Sequence, residues 1–217
     1  MPTGRPRAFV SRLLLAAALL VGLNGCSSMK IQDFANQTPV LKIEEYFAGR
    51  TTAWGLFEDR FGTLRRSFTV TIDGAWNGRE LTLDERFLYS DGETDRRVWR
   101  ITKTAEGRYE GRADDVIGTA EGQSAGNALN WTYELLMKVG DDRWRVRFDD
   151  WMWLQPGGVL MNRAHVYRWG LWIGTVSLFF QPEGKAGVTP PNPTLNGPTP
   201  NVPAPNGAAG KRQAAAG

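Results

Sequence analysis

The chain has 217 residues, with 26 Lys and Arg against 23 Asp and Glu, one His and one Cys. Its positive surplus sits at the two ends: residues 26–182 hold 20 basic and 22 acidic side chains, which argues against a nucleic-acid partner. All 9 Trp fall in that stretch, ample apolar material for one packed domain, and a lone cysteine excludes an internal disulfide.

Residues 1–25 read as a signal peptide, since Arg5, Arg7 and Arg12 precede an unbroken apolar run from Leu13 to Leu23. A spanning helix needs roughly 20 apolar residues, and Asn24, Ser27, Ser28 and Lys30 end this run well short of that. Leu23-Asn24-Gly25-Cys26 resembles the bacterial lipobox, in which a small residue precedes a cysteine that is acylated and becomes the new N-terminus. Cys26 is the expected lipid attachment, a palmitate-type anchor in which each buried methylene contributes roughly 0.8 kcal/mol. The resemblance places the protein in a bacterial envelope, anchored to a membrane and facing the periplasm. Ser27, where lipoproteins kept in the inner membrane commonly carry Asp, points to the outer membrane of a Gram-negative cell.

Residues 26–40 are expected to form the anchor linker and 41–182 the folded domain. Between Pro39 and Phe47, the positions of Leu41, Ile43, Glu44 and Phe47 fit a short helix as well as a strand, and such a helix could plug one end of a barrel. From Gly49 to Phe180, Thr, Val, Ile and aromatic residues alternate with polar ones between short turns. Phe68, Val70 and Ile72 share one face of a strand. After the Asn77-Gly78 turn, Leu81, Leu83, Phe87 and Tyr89 share another, giving a hairpin. Further turns are expected at Asp91-Gly92, Glu106-Gly107, Gly122 to Gly126, Gly140 to Asp142 and Pro156 to Gly158. Sequential hairpins with no exposed edge point to an all-β fold: an antiparallel up-and-down, lipocalin-like barrel of about 8–10 strands. Residues 183–217, with 7 Pro and 6 Gly, are expected to be an unstructured tail.

Phrases along this core resemble the uncharacterised "domain of unknown function 3833" family. They include Tyr46-Phe47-Ala48-Gly49, Glu85-Arg86-Phe87, Arg97-Val98-Trp99, Asp115-Val116-Ile117-Gly118, Asp149-Asp150-Trp151-Met152 and Asn162-Arg163-Ala164. The resemblance implies a bacterial lipoprotein with a lipocalin-like barrel, and supplies no activity.

Two acids interrupt otherwise apolar faces. Asp150 falls among Trp144, Val146, Phe148, Met152 and Leu154, and Glu85 among Leu81, Leu83, Phe87 and Tyr89. Charges turned inward need partners, and Arg97, Asn127, Tyr133 and Asn162 are the candidates by alternation. Three roles fit this set: a satisfied network that fixes register, a cluster that orients the head group of a lipid-like or amphipathic ligand, or an acid–base pair acting on a lipid-derived substrate. A structural envelope protein that works through its outer surface is a further alternative. With His165 the sole histidine and Cys26 assigned to lipid, no metal or cofactor is expected. Trp151, Trp153, Trp169 and Trp172 cluster late in the chain; such residues more commonly fill cores, but also line carbohydrate platforms or membrane interfaces.

Overall fold

The computed structural model describes residues 29–140 and 142–184. The expected signal peptide, Cys26 and the tail beyond Gly184 lie outside these residues. Ten strands follow one another: β1 (Gly49–Asp59), β2 (Leu64–Trp76), β3 (Glu80–Tyr89), β4 (Thr94–Ala105), β5 (Arg108–Arg112), β6 (Val116–Ala125), β7 (Ala128–Val139), β8 (Asp142–Leu154), β9 (Leu160–Arg168) and β10 (Leu171–Pro182). Each pairs antiparallel with its neighbour in sequence, and β1 pairs with β10, so the sheet closes into an up-and-down barrel and has no free edge.

Alternation decides which side chains enter the barrel. In β2, Val70 and Ile72 are buried while Asp73 faces out. In β8, Val146, Phe148, Asp150 and Leu154 face in. The outer wall of β1 to β4 carries a ladder of ion pairs in which Arg50 and Arg86 share Asp73, and Arg86 and Arg96 share Asp84. These exposed pairs add little stability one by one, but they bias the register of neighbouring strands.

One end of the barrel is plugged. A single turn of helix, α1 (Ile43–Tyr46), lies across it, and Leu41, Ile43, Tyr46 and Phe47 are buried in the core beneath. The Tyr46 hydroxyl lies 2.9 Å from the Phe180 carbonyl and 3.0 Å from that of Gly158, fastening the plug to β10 and to the β8–β9 turn. On the other side Glu44 accepts from Lys103 Nζ at 2.8 Å and Tyr109 Oη at 2.9 Å. Burial pushes this carboxyl up, and those two hydrogen bonds help bring it below its usual range. Gly74 in β2 faces the backbone carbonyl of Phe47 so closely that a Cβ would collide with it, which lets the plug seat against the wall.

The segment before the plug is also packed. A 3-10 turn, Ile31–Phe34, buries Ile31, and the Phe34 ring meets those of Trp151 and Trp153 on the outside of β8. The expected turn at Gly122 to Gly126 is confined to Gly126-Asn127. Gly122 sits within β6, where the Trp131 indole lies over it and leaves no room for a side chain. Among the described residues, all strand pairing falls within 49–182 and the plug within 31–48, so residues 27–217 carry every described element.

Candidate functional site

The barrel encloses a cavity of about 1170 Å³ that reaches from the plug, at Ile43 and Phe47, to an opening at the far end. Its lower walls are apolar, with Ile72, Leu83, Ile101, Leu129 and Trp131 among their residues. An aromatic block stiffens one side: Trp99 meets Trp131 and Tyr133 edge-on, and Tyr133 stacks on Phe148 at 5.0 Å with only 4° between the planes. The opening is charged, with Arg65 and Arg66 on one side and Asp91, Glu93, Asp95, Asp114 and Asp115 around it.

Five of the six side chains proposed from sequence line this cavity: Glu85, Arg97, Tyr133, Asp150 and Asn162. Asn127 does not. It lies in the β6–β7 turn near the plugged end and donates from Nδ2 to the Leu154 carbonyl at 3.0 Å. The alternation that placed it with Leu129 and Trp131 stops where the strand begins, at Ala128.

Glu85 and Arg97 are direct partners across β3 and β4. Arg97 nevertheless spends its guanidinium on Asp115, with Nε at 2.9 Å and Nη2 at 2.7 Å from the same carboxylate oxygen. Glu85 is left with long-range attraction from Arg97, and burial pushes its carboxyl up to about 7, with smaller contributions from Asp115 and Asp84. Asp150 is pushed up further, to about 8. Burial is the main cause, Asp149 and Glu85 add to it, and a hydrogen bond with Tyr133 and the charge on Arg97 oppose it. Burial likewise holds the Tyr133 hydroxyl far above its usual range. Near neutral pH the chamber therefore holds one fixed cation, already paired, an Asp150 carboxyl that is mostly protonated and a Glu85 carboxyl poised between its two forms.

Of the six side chains, three have a buried oxygen with no hydrogen-bond partner: Asp150 Oδ1 and Asn162 Oδ1 on the cavity wall, and Asn127 Oδ1 in the β6–β7 turn. Asn162 is the cross-strand partner of Met152, two residues along β8 from Asp150, so the two polar groups are diagonal neighbours on one stretch of wall. Asn162 Nδ2 is used, donating to the Trp151 carbonyl at 3.3 Å. Buried polar atoms without partners are uncommon, and each calls for a physical reason.

Sequence reasoning did not pick out as site residues Asp115, which sits just ahead of β6 in a connection with no alternation to follow, or Trp99 and Trp131. The four late tryptophans do not fill the core. Trp151 and Trp153 stack on the outer wall, and Trp169 and Trp172 are exposed at the open end. His165 meets the rings of Tyr167 and Trp172, and no cluster able to hold a metal occurs among the described residues.

A family model described as "Protein of unknown function (DUF3833)" matches residues 20–182. No curated protein matches the chain. Among solved structures, a protein of unknown function from the DUF3598 family of Nostoc punctiforme is similar at 15% identity with a TM-score of 0.44, over 66% of this chain and 50% of that one. The chain thus spans half the length of that relative.

Proposed function

The chain belongs to the DUF3833 family of unknown function, and we propose that it is a membrane-anchored carrier that holds a lipid-like or other amphipathic ligand in its barrel, in the manner of a lipocalin. The observation that carries this reading is the pair of partnerless atoms, Asp150 Oδ1 and Asn162 Oδ1, on the wall of a cavity of about 1170 Å³. A ligand whose head group bears donors, with its tail against Leu83, Leu129 and Trp131, satisfies them while burying apolar surface on both sides. Cys26 supplies the anchor, and the domain faces the periplasm, on the outer membrane in a Gram-negative cell.

A second reading is favoured by one observation: Glu85 and Asp150 sit near neutrality in the same chamber, at about 7 and about 8, where carboxyls can exchange protons. In that case the ligand is a lipid-derived substrate.

The test is mass spectrometry of small molecules extracted from residues 27–217, exported and purified without detergent. A recurrent amphiphile at near one per chain is expected. An empty barrel that also fails to bind fluorescent fatty-acid and phospholipid probes overturns the carrier reading. Turnover of the extracted molecule, abolished by Asp150→Asn, would move the protein to the enzymatic reading.

A further inference from the structure

Two hairpins stand side by side at the open end, because β1 pairs with β10: the β1–β2 hairpin after Asp59 and the β9–β10 hairpin after Arg168. They are tied together where Arg60 N–H donates to the Ile173 carbonyl at 3.0 Å. On them, large apolar side chains face solvent: Phe61 is 77% and Trp169 84% exposed, with Leu64, Leu171 and Trp172 beside them. The plug and residue 29 lie at the opposite end of the barrel, so neither covers this lip.

Its basic residues are arranged with the rings. The guanidinium carbon of Arg60 lies 4.8 Å from the Phe61 ring centre, and that of Arg168 lies 3.6 Å from Trp144 and 4.1 Å from Trp169. Neither arginine forms an ion pair among the described residues. Arginines flattened on exposed aromatics keep their charge available at the same depth as the rings.

The backbone adds an independent observation. Trp169 has a φ of +52° and Gly170 of +77°, the conformation of a two-residue hairpin turn in which Asn-Gly is the favoured pair. A bulky L side chain is disfavoured there. Folding would be served better by Asn, so the indole is held outward against the local preference of the chain.

We propose that this lip docks on the surface of a bilayer containing anionic phospholipid, one facing the membrane that would hold the expected anchor at Cys26, since residue 29 lies at the other end of the barrel. Phe61, Leu64, Trp169 and Leu171 enter the interfacial region, and Arg60 and Arg168 meet lipid phosphates. Charge complementarity selects this occupant: on the lip, exposed apolar and aromatic side chains are flanked by arginines that form no ion pair among the described residues, while Asp59, Asp91, Glu93 and Asp115 at the same end are held by Arg65, Arg66 and Arg97. Docking also sets the cavity opening, at Phe57 and the ion-paired Arg65 and Arg66, beside the bilayer. The proposal goes beyond the carrier reading and stands without it.

The experiment is flotation of residues 27–217 with vesicles of phosphatidylcholine alone and with 30% phosphatidylglycerol (about one lipid in three, a composition commonly needed to reveal electrostatic attraction). The wild-type domain is expected to bind the anionic vesicles at least about ten-fold more tightly. Trp169→Asn combined with Phe61→Ser is expected to lower that binding by about ten-fold or more. Trp169→Asn alone should leave circular dichroism unchanged and Tm equal or higher, because it restores the favoured turn. Arg60→Gln with Arg168→Gln should reduce binding to the level of neutral vesicles. The proposal is overturned if the wild type binds neither vesicle or both equally, or if the apolar variants bind as it does. It is overturned equally if sedimentation shows a dimer that Trp169→Asn dissolves, which would assign the lip to a second copy. Extraction of a ligand bears only on the carrier reading, so the two can fail separately.

Discussion

Arg97 sits directly across the β3–β4 ladder from Glu85 and turns away from it to grip Asp115 with two nitrogens. That choice sets the electrostatics of the chamber. Had Arg97 paired with Glu85, the carboxylate would have been locked in its charged form. Instead Glu85, partly buried and desolvated in the chamber, sits at about 7, and Asp115 neutralises the guanidinium from the cavity opening.

Removing Asp115 should therefore redirect Arg97. In Asp115→Asn the guanidinium loses its fork partner, and its nearest remaining carboxylate across the ladder is Glu85. The Glu85 titration is expected to move down from about 7, measured by carbon NMR of the side-chain carboxyl. Stability should fall by about 1.5–3 kcal/mol, the usual worth of a charge-assisted hydrogen bond, measured by urea unfolding. An unmoved Glu85 titration would show that burial alone fixes that group.

The raised carboxyls tie stability to pH with a definite sign. Glu85 and Asp150 hold their protons more tightly when folded, to about 7 and about 8, than in an unfolded chain, where they release them near about 4. Between those limits the folded state binds more protons, so stability falls as pH rises from about 4 to about 8 and is greatest below that window with respect to these two groups. Asp150→Asn removes the larger part of that slope. Its Tm is expected to vary less over the window than that of the wild type and to exceed it at pH 8.5 (just above the window). A wild-type Tm that rises steadily toward pH 8 would contradict the assignment.

Much of this arrangement was legible in the chain because a closed barrel enforces strict alternation. Glu85 and Asp150 stood out as acids on apolar faces, and both line the cavity. The segment before Gly49 was readable only as a short helix or a strand, from Leu41, Ile43, Glu44 and Phe47, and one turn of helix forms there. What was not readable depends on features with no period. Asp115 reaches Arg97 from a connection, and Asn127 falls one residue outside the strand whose pattern it seemed to share. The inward reading of Gly122 required knowing that an indole from β7 crosses it, which composition alone, rich in glycine from 122 to 126, presents as a turn.

Gly122 gives a direct check on that packing. A Cβ at this position meets the Trp131 ring, and one at Gly111 on the next strand would lie 2.6 Å from the same indole, so the ring lies across both glycines. The ring has nowhere to retreat except into the cavity. Gly122→Ala is expected to destabilise the domain by about 1–3 kcal/mol, as overpacking does, and to shift Trp131 emission. Loss of stability without a change in a Trp131→Phe background would confirm that the indole is the obstacle.

A variant that fills the cavity separates the volume of the chamber from its chemistry. Val176 is half-buried and lines the lumen from β10, on the same wall sector as Asn162 and Ala164 of β9, and it touches none of the polar set by hydrogen bonding. Enlarging it to Trp puts an indole into space the walls do not occupy. Filling a cavity commonly adds about 0.5–2 kcal/mol where the new side chain fits, so Val176→Trp is expected to keep or raise Tm while probe or endogenous-ligand binding falls by about ten-fold or more. Asp150→Asn should lower affinity more modestly, by a few-fold, because an amide keeps one donor and one acceptor where the carboxyl stood. If Val176→Trp binds probes as tightly as the wild type, the ligand does not occupy the barrel interior, and the partnerless atoms of Asp150 and Asn162 must serve the fold instead.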